Sequence, residues 1–124
     1  MIKQIPSKEI KDYIKNNKKC VLLDVRTKEE WNDSKPDGDK IGLKTYFLSL
    51  QFEGGIVNEN FLEEFKKLKI NKNNEILTIC GSGVRSERAA NLLTKEGYNV
   101  SNISDGFLGN NENVGWKNNN LPCK

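Results

Sequence analysis

Short apolar blocks alternate with longer amphipathic stretches along the chain, and each block predicts an element. Ile2 to Ile5 fits a short edge strand, and Ser7 stands as the N-cap of a helix with Ile10, Tyr13 and Ile14 on one side, ending near Asn16-Asn17. Cys20-Val21-Leu22-Leu23-Asp24-Val25 is a continuous apolar run with one acid near its end, the pattern of a strand covered on both faces in a parallel sheet. Thr27 and Glu30 have capping-box spacing for a short helix through Trp31. Residues 33–39, with Pro36 and Gly38, read as loop, and 41–50 fits either a strand or buried irregular chain. Asn58 is placed to cap a helix carrying Phe61, Leu62, Phe65 and Leu68, and Asn71 to Asn74 forms the turn after it. A strand over Glu75 to Ile79 is followed by a helix with Ala89, Leu92 and Leu93 on one side, stopping at Gly97 as its C′ residue. Val100 to Ile103 predicts a last strand, and Asp105-Gly106 a turn.

Strands that alternate with helices define an α/β fold: a mostly parallel central sheet of about five strands, with helices on both faces. A length of 124 residues suits one domain over 1–124. Sheets of this kind bind ligands at the carboxyl ends of their strands. Cys80 and Asp24 both fall at such ends.

Composition narrows the chemistry. The net charge of +3 is dispersed in mixed clusters such as Lys28-Glu29-Glu30 and Glu63-Glu64-Phe65-Lys66-Lys67, which read as solvated faces rather than a nucleic-acid footprint. No apolar run approaches the roughly 20 residues needed to cross a bilayer, and the first residues lack a signal-peptide segment, so a cytoplasmic monomer without membrane contact is the expectation. Three cysteines without metal-ligand spacing make neither a disulfide framework nor a metal site, and no cofactor motif is present. The chain contains 0 histidines, which rules out Ser-His-Asp and Cys-His catalytic pairs.

One segment carries a chemical signal. Cys80-Gly81-Ser82-Gly83-Val84-Arg85 follows the apolar run Ile76 to Ile79 and opens a helical pattern. A strand that ends in cysteine, turns through two glycines and enters a helix aims main-chain N–H groups and the positive helix end at one small volume. Arginine is otherwise rare here, and Arg85 and Arg88 both follow the cysteine closely; a guanidinium fork suits oxyanions. Without histidine, a thiolate at Cys80 is stabilised by N–H groups, the helix end and Arg85. The same groups, from Gly81, Ser82, Gly83, Val84, Arg85 and Ser86, are the expected binding site for an anionic substrate.

These features together resemble the single-domain rhodaneses. The residues that carry the resemblance are Leu22-Leu23-Asp24-Val25-Arg26 with Glu30-Trp31, the loop from Cys80 to Ser86, and Ile103-Ser104-Asp105-Gly106-Phe107 through Gly115-Trp116 and Leu121-Pro122. The resemblance implies a rhodanese-like fold and a sulfurtransferase. Cys80 would take sulfane sulfur from thiosulfate, mercaptopyruvate or a persulfide donor and pass it to cyanide, a thiol or an acceptor protein. A persulfide carrier serving a protein partner is the alternative. A phosphatase or arsenate reductase of the same fold is disfavoured, because its relatives have five residues between cysteine and arginine where this chain has four. Gly81 stands where many thiosulfate-using members carry a basic residue, and Cys-Gly-Ser-Gly-Val resembles the mercaptopyruvate-using members, which however end the loop in Thr where this chain has Arg85, so the resemblance leaves both donors open. The segment Pro36 to Leu43 aligns only loosely with the Gly-His-Ile-Pro-Gly-Ala stretch common in the family.

Among the remaining residues, Asp24 is read as loop support, accepting N–H bonds or pairing with an arginine, since a carboxylate would repel an anionic persulfide. Arg26 is expected to pair with Glu30 or Glu29. Trp116 and Phe107 read as core or pocket wall, Cys20 as core filling at a strand start, and Cys123 as an exposed thiol and possible second sulfur acceptor.

Overall fold

The computed structural model describes residues 2–17 and 19–124. Five strands, β1 (Lys3–Ile5), β2 (Cys20–Asp24), β3 (Lys44–Phe47), β6 (Glu75–Ile79) and β7 (Asn99–Ile103), form one all-parallel sheet in the order β1-β7-β6-β2-β3. Two further strands, β4 (Gln51–Phe52) and β5 (Ile56–Val57), pair antiparallel as a small hairpin. The helices are α1 (Ile10–Asn16), α2 (Lys28–Asp33), α3 (Phe61–Lys67), α4 (Val84–Lys95) and α5 (Gly115–Asn118).

The sheet separates two apolar layers, and alternation along each strand feeds both. Val21 and Leu23 of β2 face one layer with Phe61, Phe65, Ala89, Ala90 and Leu93 of α3 and α4. Leu22 faces the other, with Ile10 of α1, Phe107, Trp116 and Leu121. Successive side chains of a strand point to opposite faces, so a strand buried on both must be apolar at nearly every position. All five residues of β2 are buried, Asp24 included.

Register fixes the site. Asp24 lies opposite Ile79 in the β2–β6 pairing, and the Val25 N–H extends the ladder to the Ile79 carbonyl at 2.9 Å. The two central strands therefore deliver Asp24 and Cys80 side by side at the sheet's carboxyl end.

Several local expectations are corrected. Ser7 opens a short 3-10 turn, Ser7–Glu9, instead of capping α1; its N–H and hydroxyl both donate to the buried Asp105 carboxylate, at 2.9 and 2.7 Å. The ambiguous 41–50 stretch resolves into the end of a 3-10 turn, Gly38–Ile41, followed by edge strand β3. Asn58 acts two residues ahead of the α3 cap: its Oδ1 accepts from the Asn60 N–H at 3.0 Å and its carbonyl from Phe61 at 3.1 Å. Leu92 is 38% exposed, so α4 buries Ala89, Ala90 and Leu93. Cys123 is half-buried beside Pro36. The Thr27–Glu30 capping box, the turn at 71–74 and the positive φ of Gly97 are as expected.

Candidate active site

Cys80 follows the last residue of β6 and is buried, 1% exposed. The chain turns through Gly81, Ser82 and Gly83 and enters α4 at Val84. The Cys80 Sγ accepts the Gly83 N–H at 3.1 Å and the Ser86 hydroxyl at 3.3 Å. Val84, Arg85 and Ser86 form the first helical turn, whose N–H groups have no acceptor within a helix. The positive end of the α4 dipole therefore stands over the sulfur.

What turns the loop's N–H groups inward is the fate of its carbonyls. The Cys80 carbonyl accepts from the Phe107 N–H at 2.7 Å and that of Gly81 from Leu108 at 2.9 Å. The Ser82 carbonyl takes the Asn110 amide at 3.3 Å, and that of Gly83 takes the Asn102 amide at 3.0 Å. Four consecutive C=O groups are thus held by residues 102–110. Because the C=O and N–H of each trans peptide group point in opposite directions, pinning the carbonyls outward orients the N–H groups of the following residues toward the cysteine.

Two glycines are required by this packing. Gly83 has φ of +107°, and a Cβ there would lie 2.1 Å from the Ser104 carbonyl oxygen. Gly106 has φ of +64°, and a Cβ there would meet the Cys80 carbonyl oxygen and Gly81 at 2.6 Å. The Asp105-Gly106-Phe107 turn is therefore the underside of the loop. Gly83→Ala is expected to cost about 2–4 kcal/mol from left-handed backbone strain plus overpacking, and to lower the melting temperature by about 10 °C. A thermal melt unchanged within a degree or two would contradict this account of the loop.

Arg85 is placed at the loop rim, but not as a free cation. Its guanidinium makes a bidentate pair with Glu30, Nη1 to Oε1 at 2.7 Å and Nη2 to Oε2 at 3.0 Å. Glu30 also accepts the Thr27 N–H and hydroxyl, so the capping box that starts α2 and the clamp on Arg85 share one carboxylate. Burial alone would push Glu30 up, but the hydrogen bonds from Arg85 and Thr27 outweigh it and hold the carboxyl at about 2. The hydrogen bond to Glu30, opposed by burial, raises Arg85 further above its ordinary range, with the nearby Cys80 and Asp24 adding to that effect.

A lowered carboxyl contributes stability above its unfolded value of 4.5 and loses it as the pH falls toward about 2. The urea midpoint of the native protein is expected to fall more steeply across that window than that of Glu30→Gln. Parallel curves for the two proteins would show that the pair contributes nothing.

Asp24 does not touch the loop's N–H groups. Its carboxylate accepts the Arg26 N–H at 3.0 Å and the Arg26 side chain at 3.1–3.2 Å, and the pair is essentially sealed, with side chains 3% and 0% exposed. Arg26 thus pairs with Asp24 and not with Glu29 or Glu30, because α2 starts by spending Glu30 on its own cap and on Arg85. The Arg26 guanidinium also donates to the Ser34 carbonyl at 3.0 Å and stacks 4.3 Å from the Phe107 ring. Burial pushes the Asp24 carboxyl up, and Arg26 pulls it partly back, with a smaller contribution from the Trp31 indole. That indole N–H is buried but does not close a hydrogen bond of its own.

The other cysteines lie elsewhere. Cys20, at the start of β2 and so at the far end of the sheet, donates to the Asn17 carbonyl. Burial and the neighbouring Glu75 carboxylate push its thiol up to about 12, which leaves it inert at neutral pH. Burial likewise raises Cys123. No cluster of three or more His, Cys, Asp or Glu side chains able to hold a metal ion occurs among the described residues.

Three contributors escaped sequence reading: Glu30 as the Arg85 partner, and Asn102 and Asn110 as holders of the loop carbonyls. Asparagine is so abundant in this chain that these two copies carry no distinguishing signal, although Asn102 falls within the predicted last strand and is buried there, where a polar residue needs a partner.

The site and sheet define an α/β protein with one buried cysteine at a strand end, its sulfur held by a main-chain N–H and a hydroxyl of the loop that follows. The sequence profile of the rhodanese-like domain matches residues 7–112, and the chain belongs to that family. An uncharacterized protein of Rickettsia conorii, RC0915, is 42% identical over 98% of this chain and 96% of its own length. Thiosulfate sulfurtransferase 18 of Arabidopsis thaliana is 37% identical over 69% of this chain and 62% of that protein. The crystal structure of Rv0390 from M. tuberculosis superposes with a TM-score of 0.81 at 28% identity, covering 98% of this chain and 96% of the other.

Proposed function

We propose that the protein is a sulfurtransferase that carries sulfane sulfur as a persulfide on Cys80. The observation that supports this reading most directly is the convergence of the Gly83 N–H and the Ser86 hydroxyl on the Cys80 Sγ, beneath a four-residue loop whose carbonyls all point away. The similarity to a plant protein named as a thiosulfate sulfurtransferase is consistent with it.

In the first half-reaction the Cys80 thiolate attacks the outer sulfur of the donor. With thiosulfate, a sulfur–sulfur bond forms, the bond to the sulfonate sulfur breaks, and sulfite leaves with the electron pair. With mercaptopyruvate the broken bond is carbon–sulfur and pyruvate leaves as its enolate. The outer persulfide sulfur then lies among the N–H groups of residues 81–86, whose dipoles stabilise its charge without a histidine or a metal. In the second half-reaction cyanide or a thiolate attacks that outer sulfur, and Cys80 departs as thiolate.

Arg85 supports binding with the guanidinium N–H groups that Glu30 does not occupy. Since Glu30 cancels much of its charge, the loaded cradle suits the single charge of a persulfide better than the double charge of a bound phosphate. The loop spacing favours the same choice. The three thiols are free, which suits work in the reducing cytoplasm.

Intact mass spectrometry after incubation with thiosulfate or mercaptopyruvate tests the proposal: one added sulfur on the native protein and none on Cys80→Ser is expected. No addition, or equal addition to the variant, rejects it. Cys80-dependent hydrolysis of an aryl phosphate would replace it with a phosphatase reading.

A further inference from the structure

We infer that the groove running from the cysteine loop along α4 docks an acidic, partly apolar segment of a sulfur-accepting protein, with the acceptor cysteine at the loop end. This rests on the sulfurtransferase reading and names its acceptor class.

Arg85, Arg88, Leu92 and Lys95 fall at i, i+3, i+7 and i+10 of α4 and share one helix face. Opposite that face lies the β4–β5 hairpin. Between them, Leu50, Gln51, Val57, Arg88, Leu92 and Lys95 line a groove of about 290 Å³. Gln51 also lines a second groove of about 410 Å³ that reaches Arg85, at the rim of the cysteine loop. The apolar rim is open to solvent: Phe52 is 49%, Ile56 65%, Val57 55% and Leu92 38% exposed. Apolar side chains clustered this way on a small protein mark an interaction surface.

Charge sets the direction of the occupant. Arg88 and Lys95 are the charged residues of the distal groove, and neither makes an ion pair among the described residues. The groove at Arg85 carries Glu29, Glu30 and Glu53, with Arg85 already committed to Glu30. Acidic side chains are therefore attracted distally and repelled proximally. Arg88 and Lys95 lie about 5 and 15 Å beyond Arg85 at the helical rise of about 1.5 Å per residue. An extended segment advances about 3.3 Å per residue, so its acids belong about one to five positions from the reacting cysteine.

The chemistry balances with no further reactant. The acceptor thiolate forms a bond to the outer sulfur of Cys80–S–SH, the bond from that sulfur to Cys80 breaks, and Cys80 leaves as thiolate; the proton stays on the transferred sulfur.

Two synthetic peptides test this, one with a terminal cysteine followed by alternating acidic and apolar residues, the other with lysines in place of the acids. Fluorescence anisotropy on Cys80→Ser measures docking without sulfur chemistry. Tighter binding of the acidic peptide, weakened tenfold or more by R88E/K95E and by salt, is expected. In single turnover from the persulfide-loaded protein, R88E/K95E is expected to slow transfer to the acidic peptide at least tenfold relative to transfer to cyanide. Equal binding of both peptides, or no effect of the charge reversal, overturns the inference. Sedimentation that shows this face closed by a second copy of the chain, displaced by R88E/K95E, overturns it too. Failure of persulfide formation would instead sink the underlying reading, leaving the anisotropy result to stand by itself.

Discussion

Cys80→Ser is expected to reduce sulfur transfer to cyanide by about 10³-fold or more, while the protein stays folded. The loop does not donate a proton-accepting partner to position 80; it stabilises an anion that a thiol forms readily at neutral pH and a hydroxyl does not. Serine leaves the surrounding geometry usable, since its Oγ accepts the same Gly83 N–H and Ser86 hydroxyl that the sulfur accepts. Its cost in stability is accordingly about 1 kcal/mol or less. Steady-state turnover alongside a thermal melt separates the two effects. Residual turnover above a tenth of the native value would mean that another thiol carries the sulfur, and the half-buried Cys123 would be the first to examine.

The second large effect is on stability. Asp24→Ala removes the carboxylate paired with Arg26 and leaves a guanidinium whose side chain is 3% exposed. Breaking a buried pair from one side costs about 3–5 kcal/mol, because the remaining charge stays desolvated. For a chain of this size that lowers the melting temperature by about 10–20 °C. Asp24→Ala/Arg26→Met is expected to be less destabilised than the single variant, since removing both charges removes the orphan. Urea unfolding of the two proteins checks this. A single variant within about 1 kcal/mol of native would show that water or Ser34 already satisfies Arg26.

Which parts were legible in the sequence follows a physical line. Elements defined by local pattern were readable: the doubly buried strands around Leu22 and Leu77, the Thr27–Glu30 box and the αL glycine ending α4 all rest on residues within a few positions of one another. So was the location of the cysteine loop, because strand, glycines and helix adjoin in the chain. Choices between distant partners were not. Ser7 could cap a helix or reach Asp105, nearly the whole chain away, and tertiary contact decided. Arg26 had Glu29 and Glu30 within reach, yet Glu30 was taken by Arg85 across a separation of 55 residues. The β4–β5 hairpin has two residues per strand around Gly54-Gly55, too short for periodicity to register. Asn102 and Asn110 act on loop carbonyls that have no residue-specific signature at all.

The outward carbonyls of residues 80–83 impose an order in time. The ribosome delivers β2, β6, the cysteine and all of α4 before it delivers Asn102, Phe107, Leu108 or Asn110. β1, the first strand made, also waits for β7, its ladder partner at residues 101–103. Until that late stretch docks, the carbonyls of Cys80, Gly81 and Ser82 lack the partners that hold them outward, and Cys80 is an ordinary thiol in an unfinished chain. The cradle that would make it a sulfur carrier is therefore among the last things the nascent protein acquires.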